Sequence, residues 1–131
     1  MWSKKLILLF VIQLFSCNNQ IHDFEKFDIL TKVLENSKVQ NYLHKELPSR
    51  DTLFIIKNKF TNFDVNNYKE LKIIKKKDYK GKNYISIEKF QQKKDSTILI
   101  LYYKIENIEI QSLLIKEKND WIIEKIKIIE F

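Results

Sequence analysis

A chain of 131 residues with formal net charge +7, 44% hydrophobic and 13% aromatic content is long enough to bury one core and too apolar to stay disordered. A single glycine and a single cysteine exclude glycine-rich phosphate loops and any internal disulfide. Two histidines, His22 and His44, with no His-Glu-x-x-His or Cys-x-x-Cys spacing, exclude a zinc site of the common His/Cys kind.

The first seventeen residues set the address. Lys4 and Lys5 precede an apolar run from Leu6 to Phe15, after which Leu14-Phe15-Ser16-Cys17 places a small residue directly before the only cysteine. The run is about half of the roughly 20 residues a spanning helix needs and is interrupted by Gln13. The stretch resembles a bacterial lipoprotein signal peptide, with Leu14, Ser16 and Cys17 on the pattern that family uses. The resemblance covers this leader alone. It implies a signal peptide over 1–16, a diacylglyceryl group on Cys17 after cleavage, and a lipidated tether over 17–22. It also implies a membrane-anchored lipoprotein of the cell envelope. By the Gram-negative sorting rule, the absence of Asp at position 18 (Asn18) favours the outer membrane over the inner. Several acyl chains on one residue anchor stably where a single chain does not.

From Asp23 to Phe131 the sequence reads as a single α+β domain. Phe24, Phe27, Leu30 and Leu34 recur at helical spacing. Ser37 with Gln40 reads as a capping box that opens a second helix, whose apolar side is Val39, Leu43 and Leu47 and which ends at Pro48. Beyond Arg50 the period changes to two. Strands are predicted over 52–60, 71–75, 84–90, 97–105, 108–116 and 121–129, with turn residues between them. Ile98, Leu99, Ile100 and Leu101 are apolar on both faces, which predicts a central strand covered on both sides. Leu113-Leu114-Ile115 breaks the alternation and predicts a bulge in the last hairpin.

Short connections imply antiparallel pairing. The expected fold is therefore an N-terminal helix or helix pair packed on a curved antiparallel meander of five to six strands. In element order it is similar to cystatin and NTF2-like proteins, in which a sheet wraps a helix.

Catalytic chemistry has few residues to draw on. Ser37, Ser86, Ser96 and Ser112 lack a nucleophile-elbow context, and His44 reads as a helix-face histidine. Glu106 and Glu109 read as solvated strand-end acids, and Trp121, Tyr102 and Tyr103 as packing aromatics. No catalytic residue, metal ligand or cofactor is assigned, and the protein is not expected to be an enzyme.

Charge is the one uneven distribution. Lys69, Lys72, Lys75, Lys76, Lys77, Lys80 and Lys82 face only Glu70 and Asp78 within the same stretch, while the rest of the chain after the leader is balanced. With Tyr68, Tyr79 and Tyr84 interleaved, this reads as a basic hairpin, and those seven lysines are the candidate binding residues. Nucleic acid is excluded as a partner because a lipoprotein leaves the cytoplasm. The function expected is non-catalytic binding of an anionic envelope component or a protein partner at the membrane. The alternatives are a small-ligand or enzymatic pocket in an NTF2-like curved sheet, and an immunity or inhibitor lipoprotein.

Overall fold

The computed structural model describes residues 23–63 and 70–131. The first helix, α1, spans Asp23–Glu35. Leu30 and Leu34 are buried as the spacing predicts, and Ile29 and Val33 are fully buried beside them, so the apolar stripe is two rows wide. Phe27 is only partly buried, and the side chain of Phe24 lies outside the described residues.

The second helix, α2, spans Ser37–Leu43. Its cap is Asn36, one residue before the predicted Ser37, and the Asn36 side chain accepts from the backbone N–H of Lys38 at 3.0 Å. Gln40 donates instead to the carbonyl of Leu34, at 2.5 Å. It thereby satisfies an open carbonyl at the end of α1 rather than completing a capping box on its own helix. The helix also stops four residues short of Leu47. His44 adopts the left-handed conformation (φ 49°), which ends the helix and leaves Leu47 44% exposed.

Six strands follow: β1 (Leu53–Ile56), β2 (Leu71–Ile74), β3 (Tyr84–Lys93), β4 (Ser96–Tyr103), β5 (Ile108–Glu117) and β6 (Asp120–Glu130). They form one open sheet in the order β2-β1-β3-β4-β5-β6. The expected antiparallel meander holds for β3 to β6. It fails for β1, which lies parallel to both β2 and β3, so the sheet is mixed. The cause is local. Asn58 accepts from the backbone N–H of Phe60 at 2.8 Å and exchanges hydrogen bonds with Thr61, which closes β1 at Ile56 where an extended strand to Phe60 was predicted. The connection that follows (57–70) is long enough for a crossover, and a parallel pair requires one.

Both helices cover one face of the sheet, and the chain after β1 fills the same side. Phe63 is buried with its ring 6.1 Å from Phe27, and Lys26 donates to Asn62 at 2.9 Å. Beneath them Ile55, Ile85, Leu99, Leu101, Ile110 and Leu114 form the core. Lys116–Glu25 (3.0 Å) and Lys32–Asp120 (2.5 Å) pin α1 to the β5–β6 hairpin. Register shifts fall at Ile87/Lys89, which leaves Glu88 unpaired, and at Leu113/Leu114, where the bulge was expected.

The second face carries no helix among the described residues and is bare over β4 to β6. Ile98 is 37% exposed and Ile100 and Leu113 are half-buried, so β4 is central in order but covered on one side only, against the expectation of two.

Candidate functional site

The lysine-rich stretch is not a hairpin. β2 and β3 do not pair, because β1 lies between them, and the 75–83 connection crosses back from the end of β2 to the start of β3. It crosses on the bare face. Phe54 projects from β1 on the side opposite the buried Leu53 and Ile55, and Tyr79 stacks on it with ring centroids 4.2 Å apart. Tyr84, beside Phe54 in register, meets the edge of Tyr79 at 6.3 Å. Gly81 permits this closure, since a Cβ there would lie 2.4 Å from the Tyr79 hydroxyl.

The lysines lie around this aromatic clamp. Lys72 projects from β2, Lys76 and Lys77 lie in a 3-10 turn (Lys76–Asp78), and Lys75, Lys80 and Lys82 flank it; all six are exposed. Lys76 sits 5.0 Å from the Tyr84 ring centroid and donates to the Tyr79 carbonyl at 3.4 Å. Among the described residues none of these six forms an ion pair. Glu70, the acid next to the stretch, is engaged by Lys45 at 3.0 Å. The seventh predicted residue, Lys69, lies outside the described residues, as does Cys17.

The sequence reading missed a second assembly at the end of the sheet where β1 and β3 begin. Arg50, the only arginine of the chain, lies in a 3-10 turn (Pro48–Arg50) and donates from Nη1 to Glu106 and to the Tyr42 carbonyl (3.4 Å). Burial disfavours the guanidinium charge, but the Glu106 carboxylate and the Tyr103 hydroxyl together outweigh it and hold the pKa above the usual arginine value. His44 Nε2 lies 3.8 Å from the same carboxylate. Tyr103, fully buried, donates to Asn83 Oδ1 at 2.6 Å, and Asn83 Nδ2 donates to the Thr52 carbonyl at 2.7 Å. Desolvation raises the Tyr103 pKa, and the Arg50 charge offsets part of that rise. Of these groups Arg50, Asn83 and Tyr103, together with the last turn of α1, border a cavity of about 120 Å³. Among the described residues its lining offers neither a serine nor a cysteine nucleophile, and the charged and hydroxyl groups of Arg50 and Tyr103 are committed to protein partners.

The other singled-out residues are dispersed. Glu106 belongs to the Arg50 pair, whereas Glu109 accepts from Gln111 at 2.7 Å on the bare face. Tyr102 projects to that face and donates to Asn107 (2.5 Å), while Tyr103 and Trp121 are buried in the core. Among the described residues no group of three His, Cys, Asp or Glu side chains could hold a metal ion, and no helix is long and apolar enough to cross a membrane.

No known protein family, curated protein or solved structure matches the chain.

Proposed function

We propose that the chain is a cell-envelope lipoprotein, anchored through Cys17 in the outer membrane, whose domain has a non-catalytic binding role at the membrane surface. In this reading Lys72, Lys75, Lys76, Lys77, Lys80 and Lys82, with Lys69 beside them, are the contact residues for an anionic envelope component. The observation that carries it is the group of six exposed lysines on and beside the connection that Phe54, Tyr79 and Tyr84 hold in place, none of which forms an ion pair among the described residues. Scattered surface lysines are ordinary; six lysines gathered on and beside one anchored connection, without counter-charges among the described residues, are a surface suited to an anionic partner. In this reading the domain has the cystatin or NTF2-like arrangement, which the helices on one face of an open sheet support.

Two measurements test this reading. Palmitate labelling of the full chain in a Gram-negative host should be lost in Cys17→Ser. The triple variant Lys75→Glu, Lys76→Glu, Lys77→Glu should lose salt-sensitive binding to anionic vesicles while keeping the wild-type melting temperature. Equal labelling, or equal binding by both proteins, counts against it.

A second reading, a small-ligand pocket, has the cavity at Arg50 and Tyr103 in its favour. Its test is a melting-temperature screen with small polar molecules, in which a ligand that stabilises the wild type should not stabilise Tyr103→Phe.

A further inference from the structure

The bare face beyond the lysine loop carries its own pattern. Cross-strand register puts Ile98 beside Leu113 and Leu113 beside Lys125, and in the next row Lys89 beside Ile100 and Gln111 beside Lys127. The result is an aliphatic centre of Ile98, Ile100 and Leu113, flanked by Lys89 from β3 and by Lys125 and Lys127 from β6. No acid among the described residues lines this shallow depression. Two acids of the sheet, Glu88 and Glu109, line a separate depression with Tyr102 and Phe131 toward the other end of the strands.

We infer that this face is a membrane-contact surface, with Ile98, Ile100 and Leu113 seated among the headgroups of an anionic bilayer and Lys89, Lys125 and Lys127 on its phosphates. The inference rests on the reading of the chain as an envelope lipoprotein and names the partner of its cationic face. Three features select this occupant. A second copy would bring lysines against lysines. A protein hot spot is built on Trp, Tyr and Arg in a pocket, whereas this depression is flat, aliphatic and lysine-flanked, the composition that interfacial membrane surfaces use. Finally, six residue steps from Cys17 to Asp23 reach at most about 20 Å, which exceeds the roughly 10 Å spacing of packed layers. A lipid on Cys17 therefore permits the sheet to lie on the bilayer although α1 covers its opposite face.

The test uses the full lipidated chain reconstituted in vesicles. Lipidation blocks the Cys17 sulfur, so Ile98→Cys and Leu113→Cys each provide one free thiol for an environment-sensitive dye, and Lys38→Cys on α2 provides the control. In phosphatidylglycerol vesicles the dye at 98 and at 113 should shift to the blue and be quenched by lipid-borne quenchers, and the dye at 38 should not. In phosphatidylcholine vesicles no position should respond. Lys125→Glu with Lys127→Glu should weaken the response by about fivefold or more per lysine. A salt-sensitive dye response at Lys77→Cys with silent dyes at 98 and 113 overturns this inference and leaves the proposed function standing. Silence at all three positions overturns this inference and the lysine contact of the proposed function alike. A response to an acidic polypeptide but to no vesicle identifies a protein partner and also overturns it.

Discussion

The Tyr103 hydroxyl donates to Asn83 Oδ1 at 2.6 Å, joining the last residue of β4 to the residue before β3 in a fully buried contact. Through Asn83 Nδ2 the link continues to Thr52, just before β1. One side-chain chain thus fixes where the parallel strand enters the sheet. Tyr103→Phe leaves Asn83 Oδ1 without its donor and should cost about 1 to 3 kcal/mol. Asn83→Ala breaks both links and should cost more, as read by urea titration. An Asn83→Ala midpoint equal to that of Tyr103→Phe would show that the Thr52 link contributes nothing.

Leu30 is fully buried under α1, whereas Phe27 is only partly so. Leu30→Ala should destabilise by about 2 to 5 kcal/mol, and Phe27→Ala by less despite its larger side chain. The reverse order in thermal melts would place the helix at a different rotation on the sheet.

Lys118 and Asn119 form the two-residue turn between β5 and β6 with φ of 48° and 65°. Both angles are positive, as a type I′ turn requires, and lysine is ill suited to the first position. Replacing the pair by Asn-Gly (Lys118→Asn, Asn119→Gly) should stabilise by about 0.5 to 1 kcal/mol. A lowered denaturation midpoint would contradict the turn geometry.

Asp120 accepts from Lys32, and this hydrogen bond lowers the carboxyl pKa below its ordinary value. A depressed folded-state pKa contributes stability that is present above the unfolded value and is lost as pH falls through the folded one. For an aspartate the loss therefore begins below about pH 4. Asp120→Asn should flatten that part of the acid limb and leave stability at pH 9 to pH 7 with an unchanged slope. An identical acid limb in the variant would show the pair to be idle.

The strands were readable because their β-branched and aromatic runs are long and separated by turn residues, and the six elements appear where 71–75, 84–90, 97–105, 108–116 and 121–129 place them, with β1 shortened. Pairing was less readable. Asn58 sits inside a run that scans as one strand to Phe60, and only the bond of its side chain to the Phe60 N–H and those of its backbone to the Thr61 hydroxyl show that the strand has ended. The cap at Asn36 displaced the one at Ser37 because both residue types suit the position, and local backbone geometry chose between them. The lysine stretch was visible as a charge run, but its clamp depends on Phe54 meeting Tyr79 from another strand. Arg50 with Glu106 lies further still from local reading, since 56 residues separate the pair.

Because β1 is inserted between β2 and β3, the order of assembly is constrained. Strands β3 to β6 pair with their sequence neighbours through short turns and can zip locally, whereas β1 must find β3 across the whole intervening segment and β2 must find β1. Refolding should therefore pass through a transition state in which the C-terminal meander is formed and β1 is not. Substitutions in the β5–β6 turn would then alter the folding rate, while Ile55→Val would mainly speed unfolding. The helices reach their final seat only when β1 completes the floor beneath them.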